Sequence, residues 1–227
     1  MVTGYSIPDF DPGYSIVPNV LTDAECDSLL SALSNMQRGR AGVRHLMRNS
    51  AVAALAVDQR LLEIARPLLG THAVPFRATL FEKSGKANWL VAWHQDTALP
   101  LASQFDDAGW GPWSEKAGVI YAHAPVWALS QVLALRIHLD SSTSENGPLR
   151  VMPASHSAGL LTDAQVIEYA RTHPSMECPV PRGGVLAMRP LIIHASSKAR
   201  EANPRRVLHI EYAESLELAA GIRLAVT

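Results

Sequence analysis

The run Trp89-Leu90-Val91-Ala92-Trp93-His94-Gln95-Asp96 ends an apolar segment with an imidazole and a carboxylate two positions apart. Trp89 to His94 reads as a β-strand breaking into a long connection. Side chains alternate along an extended backbone, so His94 and Asp96 leave the same side of it. With a third ligand from elsewhere, such a pair makes the two-histidine, one-carboxylate face that leaves three positions of an octahedral Fe(II) open to oxygen chemistry. Chance placement gives roughly 0.8 His-x-acid matches in such a chain. The sequence holds three: His94/Asp96, His138/Asp140 and His209/Glu211. The first sits where a strand gives way to the long loop, the usual place for a side chain to enter a cavity, and is the best candidate. A salt-bridged barrel face that includes Arg136 explains the second equally well, and the third could be supporting or plainly structural.

Outward from this motif, short runs rich in Val, Ile, Leu and aromatics recur at 76–81, 131–140, 185–188, 191–194 and 205–212 and read as strands. Residues 14–18 make another. Toward the N-terminus the period changes. Thr22 and Glu25 form a capping-box pattern before Leu29, Leu30, Leu33 and Met36, with Gly39 as the stop. A second helical pattern spans 52–69 and ends at Gly70, and a third covers 162–171. Helices followed mostly by strands predict a mainly β barrel or sandwich with flanking helices. With no repeat or linker visible, the expectation is one domain over 1–227, helical to about 70 and β from 71 to 213. The stretch 97–126 reads as a long irregular loop covering a site.

The chain has 227 residues, 48% hydrophobic and 18% charged, with a net charge of −1. That composition predicts a self-sufficient core and offers no general grip on phosphate backbones or anionic lipid. Neither a nucleic-acid nor a membrane partner is expected. Cys26 and Cys178 alone exclude a disulfide framework. Met1–Asp9 lacks a basic and an apolar region, which makes the cytoplasm the expected location. Nothing in the sequence sets the oligomeric state.

A third ligand should be followed by a group that holds an acid. His194 qualifies, because Arg205 follows at the start of the final strand, where a guanidinium can grip a carboxylate in bidentate fashion. Arg206 is its neighbour, and a one-residue slip exchanges the two. Together with Gly13-Tyr14 through Leu21, Leu135 through Asp140, Glu145 through His156 and Pro190 through Ser196, these motifs resemble, in order, the phytanoyl-CoA dioxygenase family of Fe(II)/2-oxoglutarate oxygenases.

The resemblance implies a double-stranded β-helix, or jelly roll, of cupin-like architecture. It implies His94, Asp96 and His194 on Fe(II), Arg205 on the distal carboxylate of 2-oxoglutarate, and Ser196 near that cosubstrate. A serine after a strand is otherwise a turn residue. The implied reaction consumes O2 and 2-oxoglutarate, releases succinate and CO2, and hydroxylates a small molecule. The retained Asp96 argues against a halogenase. Ala154 departs from the Gly of the family's Pro-Gly-Ser-His turn. Trp93, Trp110, Trp113 and Tyr121 are candidate substrate-pocket walls, with buried core as the competing use. Lys83 and Lys86 read as solvated lysines. A cupin-like protein that binds metal or ligand without turnover is the alternative function.

Overall fold

The computed structural model describes residues 12–36, 42–84, 88–201 and 203–227, so Met1–Asp9, Gly39 and Lys86 lie outside the described residues. After β1 (Tyr14–Val17), α1 (Asp23–Ala32) opens with the expected capping box: the Thr22 side chain accepts from the Glu25 N–H, and Glu25 accepts from the Thr22 N–H. The helix stops short of Met36. Ser34 Oγ donates to the Ser31 carbonyl, a local bond that competes with the next helical turn.

Beyond β2 (Gly42–Val43), the single helix expected over 52–69 proves to be two, α2 (Ser50–Ala56) and α3 (Gln59–Leu69). Asp58 makes the break. Its carboxylate accepts from the Arg60 N–H, so the residue contributes more as an N-cap than inside a helix.

Strands follow: β3 (Val74–Lys83), β4 (Val91–His94), β5 (Ala98–Leu101), β6 (Trp113–Lys116) and β7 (Val119–His123). A short α4 (Val126–Leu129) leads to β8 (Val132–His138), β9 (Leu149–Val151), α5 (Asp163–Thr172), β10 (Met176–Cys178) and β11 (Val185–Met188). The chain then forms β12 (His194–Ser196), β13 (Arg205–Ala213) and a hairpin of β14 (Glu217–Ala219) and β15 (Ile222–Arg223). Two sequence readings need correction. Residues 97–126 are not one irregular loop, since β5, β7 and β6 form a three-stranded antiparallel sheet there. Pro100 inside the first strand and the polar, exposed third one masked the pattern. Leu191–Ile193 is a turn, closed by the Ile192 N–H donating to the Arg189 carbonyl with Pro190 in the favoured second position; the strand begins only at His194.

The large antiparallel sheet runs β1-β11-β8-β13-β3-β2, and the smaller one β10-β9-β12-β4. The chain passes from β3 to β4, from β8 to β9 and β10, back to β11, across to β12 and back to β13. That winding is a jelly roll. Alternation sorts the large sheet into two faces. Ala78, Leu80, Leu135, Ile137, Leu208 and Ile210 point outward into a core with Leu29, Val52, Leu61 and Ile64 of the helices. Burial of each such leucine, isoleucine or valine stabilises the fold by about 1.5–3 kcal/mol. Inside, one end is apolar, filled by Leu149, Val151, Leu186 and Met188 with Cys178, whose thiol burial pushes up to about 12. Both cysteines are free and buried. The other end of the interior is polar. No helix among the described residues is long and apolar enough to cross a membrane.

Ala154, the departure from the family's glycine, has φ of +62°. The left-handed region strains any residue with a Cβ by about 1–2 kcal/mol, and glycine returns part of that as chain entropy. Ala154→Gly should therefore raise stability by about 0.5–1 kcal/mol in urea unfolding. An unchanged midpoint would mean the turn relaxes around the alanine.

Candidate metal centre

His94 ends β4 and His194 begins β12, and the register places the two directly opposite each other with ring centroids 4.2 Å apart. Asp96 follows, its N–H donating to the Pro190 carbonyl at 2.9 Å. Between them Gln95 turns into the protein, donating to the Gly159 and Leu191 carbonyls and accepting from the Leu161 N–H. That clamp fixes the backbone carrying both motif residues.

One donor atom from each of His94, Asp96 and His194 lies within 4.8 Å of the others. Each imidazole is oriented by the backbone two residues before it: Nδ1 of His94 donates to the Ala92 carbonyl at 2.8 Å and Nδ1 of His194 to the Ile192 carbonyl at 2.9 Å. Carbonyls only accept, so Nδ1 carries the proton in both rings. Burial holds the His194 imidazole down at about 4, hence neutral at pH 7, with its Nε2 lone pair 3.6 Å from Asp96. His94 Nε2 lies 3.8 Å from the same carboxylate. Burial opposes ionisation of Asp96, but the facing His194 and His94, with His209 and Arg77, outweigh it and hold the carboxyl well below the usual range.

Two cavities meet at Asp96 and Phe81. The first, about 110 Å³, is lined by the three candidate ligands together with Trp89, Arg136, Ser196 and Arg205. Arg205 is 5% exposed, and its Nε and one terminal nitrogen have no hydrogen-bond partner. Burial, then Arg136, pushes its pKa down to about 9, which leaves it charged at neutral pH. Ser196 Oγ donates to the Gly147 carbonyl and accepts from Arg205 and from Lys83 Nζ. The serine thus braces Arg205 as well as lining the cavity. Arg206 faces away, forked onto Asp140 at 2.7 and 2.8 Å. Asp140 is thereby a structural anchor, and His138 stays buried beside Arg136, kept neutral by that burial.

Sequence reasoning missed part of this wall. Lys83 is not solvated: it is 2% exposed and donates to Ser196 Oγ at 2.6 Å, and burial, then Arg205 and Arg136, pushes it down to about 7. The signal was present in β3, where Arg77, Thr79, Phe81 and Lys83 alternate with Ala78, Leu80 and Glu82. Glu211 pairs with Arg77, while His209 bonds Arg136 and lines the second cavity.

Of the four aromatic candidates, only Tyr121 lines either cavity. Trp93 points to the opposite side from His94, stacked under Arg150 and packed beside α5. Trp110 and Trp113 pack edge-on against Phe105, at 5.3 and 5.2 Å, in a cluster with Leu99 and Leu101. Trp110→Ala should accordingly cost about 3–5 kcal/mol in stability. Substrate-free 2-oxoglutarate turnover, assayed below the lowered melting point, should be unaltered; a turnover defect without destabilisation would return the tryptophan to the site.

Comparisons agree with this fold. The chain is 27% identical to L-proline trans-4-hydroxylase of Streptomyces griseoviridis over 88% of its own length and 82% of that protein's. Its fold matches AviO1 of Streptomyces viridochromogenes with a TM-score of 0.65 at 21% identity, over 90% of this chain and 91% of the other. HygX of Streptomyces hygroscopicus, solved with nickel and 2-oxoglutarate bound, also superposes with a TM-score of 0.65, at 18% identity over 90% and 84% of the two chains. Residues 11–207 match the family model of phytanoyl-CoA dioxygenase (PhyH), which covers most of the chain and every residue of the candidate centre. The chain belongs to the phytanoyl-CoA dioxygenase family.

Proposed function

We propose that the protein hydroxylates a small molecule at a centre in which His94, Asp96 and His194 hold Fe(II) and Arg205 holds one carboxylate of 2-oxoglutarate. As a member of its family, it is an Fe(II)- and 2-oxoglutarate-dependent oxygenase that uses O2. One observation carries the ligand assignment. A neutral His194, its proton held on Nδ1 by the Ile192 carbonyl, turns its Nε2 lone pair toward the Asp96 carboxylate that His94 Nε2 also faces, leaving an acceptor facing an acceptor unless a cation lies among them. Two nitrogens and one oxygen suit a borderline divalent metal with open positions.

Bound iron would couple oxidative decarboxylation of 2-oxoglutarate by O2 to oxidation of the substrate, giving succinate, CO2 and the hydroxylated product. The chain supplies the rest. The unpartnered nitrogens of Arg205 leave N–H donors free for a carboxylate, a charge-assisted contact that orients the cosubstrate. Ser196 Oγ, itself held by Lys83 and the Gly147 carbonyl, keeps that guanidinium in place, and the apolar end of the jelly roll keeps water from behind the centre. The similarity to a hydroxylase of L-proline supports a small-molecule substrate, and two free, buried cysteines suit a cytoplasmic setting. The whole chain acts as one domain in this reading.

Purified protein given Fe(II), ascorbate and 2-oxoglutarate should release succinate, with a chelator abolishing and added Fe(II) restoring it. Succinate no higher than in the iron-free control would leave only a metal-binding shell.

A further inference from the structure

The second cavity, on the other side of Asp96 from Arg205, has no role in the assignment above. It measures about 300 Å³, the scale of a small-molecule site. Among the described residues its only acid is Asp96, while its cations are Arg44, Arg77 and Lys116. Arg77 is satisfied: it donates to the Glu211 carboxylate and to the Ala98 carbonyl. Arg44 and Lys116 meet no acidic partner among the described residues, and both are exposed at the cavity mouth.

The two are presented by ordered structure. Lys116 ends β6 at a two-residue turn in which Ala117 and Gly118 have φ of +50° and +77°, the signature of a tight hairpin. Its ammonium sits 5.1 Å over the ring of Tyr121, whose hydroxyl is bonded to His45 at 3.0 Å. Arg44 follows directly on β2, where Val43 pairs with Leu80. Burial, then Arg44 and Arg77, holds the Lys116 ammonium below its ordinary value. The chain as a whole carries a net charge of −1, so this local excess is not a general basicity.

Resting on the oxygenase reading, we infer that the substrate is a small organic anion whose carboxylate or phosphate is held by Lys116 and Arg44, with the rest of the molecule extending toward Asp96. A neutral substrate would gain no attraction from either cation, and a cationic one would be repelled by both, at the mouth of the cavity that leads to the metal centre.

Fluorine NMR on protein loaded with Co(II) and 2-oxoglutarate tests this, because a nucleus held near the paramagnetic ion broadens. The probes are trifluoroacetate, monofluorophosphate and the neutral trifluoroacetamide, with Zn(II)-loaded protein as the diamagnetic control. At least one anion should broaden saturably and the amide should not; whichever anion binds tighter names the group as carboxylate or phosphate. The double variant Lys116→Gln, Arg44→Gln should raise the apparent Kd at least ~10-fold, as expected when two charge-assisted contacts are lost. Equal broadening by the amide, or unchanged anion binding in the double variant, overturns the inference. The Co(II) visible spectrum of the same samples keeps the two claims apart. If it fails to respond to 2-oxoglutarate, the oxygenase reading itself fails, whereas a normal response without anion selectivity removes only the substrate class.

Discussion

Arg205→Ala is expected to raise the KM for 2-oxoglutarate by between about 30-fold and about 3000-fold while leaving metal affinity nearly unchanged. Removing the charged partner of a buried carboxylate costs about 2–5 kcal/mol, and about 1.4 kcal/mol is a decade. The guanidinium stands in the metal-centre cavity with two nitrogens unpartnered, so little else in the fold depends on it. Arg206→Ala is the matched control. Its side chain is forked onto Asp140 away from the cavity, so the expected cost is up to about 1 kcal/mol of stability with no change in KM. Steady-state succinate release against 2-oxoglutarate concentration measures both. If Arg206→Ala carries the KM effect and Arg205→Ala does not, the cosubstrate lies elsewhere than the first cavity.

Asp96→Ala should abolish turnover and weaken Fe(II) binding by more than the ~10–100-fold that loss of an outer partner of a ligand costs. Asp96 is the only anionic donor among the three converging residues, and both imidazole Nε2 atoms face it. The fold should survive, since the Asp96 side chain is one-third exposed and the neighbouring backbone is held by Gln95 rather than by the carboxylate. Competition with a metallochromic chelator reads the affinity, and circular dichroism reads the fold. Retained Fe(II) affinity in a folded Asp96→Ala would remove the carboxylate from the centre.

How much of this was legible in the sequence depended on whether one strand's period sufficed. His94 and Asp96 were candidates because alternation along β4 and its break into a loop are local facts, but their preference over the other two matches, and the role of Arg205 after His194, came mainly from the ordered family resemblance. The choice between Arg205 and Arg206 became physical only through register: Arg205 pairs with Lys83, while Arg206 pairs with Glu82 and meets Asp140. Lys83 and Arg136 were undervalued because a cation is buried only where its surroundings satisfy it, and those oxygens come from residues over a hundred positions away in the case of Lys83. Trp93 was misassigned against a signal in plain view, since the residue beside His94 on a strand must face the other way. Trp110 and Trp113 carried no such signal; aromatic area serves a core as readily as a pocket. Asp58 splitting a helix was equally local, its capping preference prevailing over the apolar spacing on either side of it.

The most direct test is anomalous diffraction from a crystal grown with Mn(II) in place of Fe(II) and with 2-oxoglutarate. The expected result is one metal peak at about 2.0–2.3 Å from His94 Nε2, an Asp96 carboxylate oxygen and His194 Nε2, with 2-oxoglutarate bridging that ion and Arg205. A metal peak elsewhere in an otherwise ordered molecule, or 2-oxoglutarate bound away from Arg205, would contradict the account.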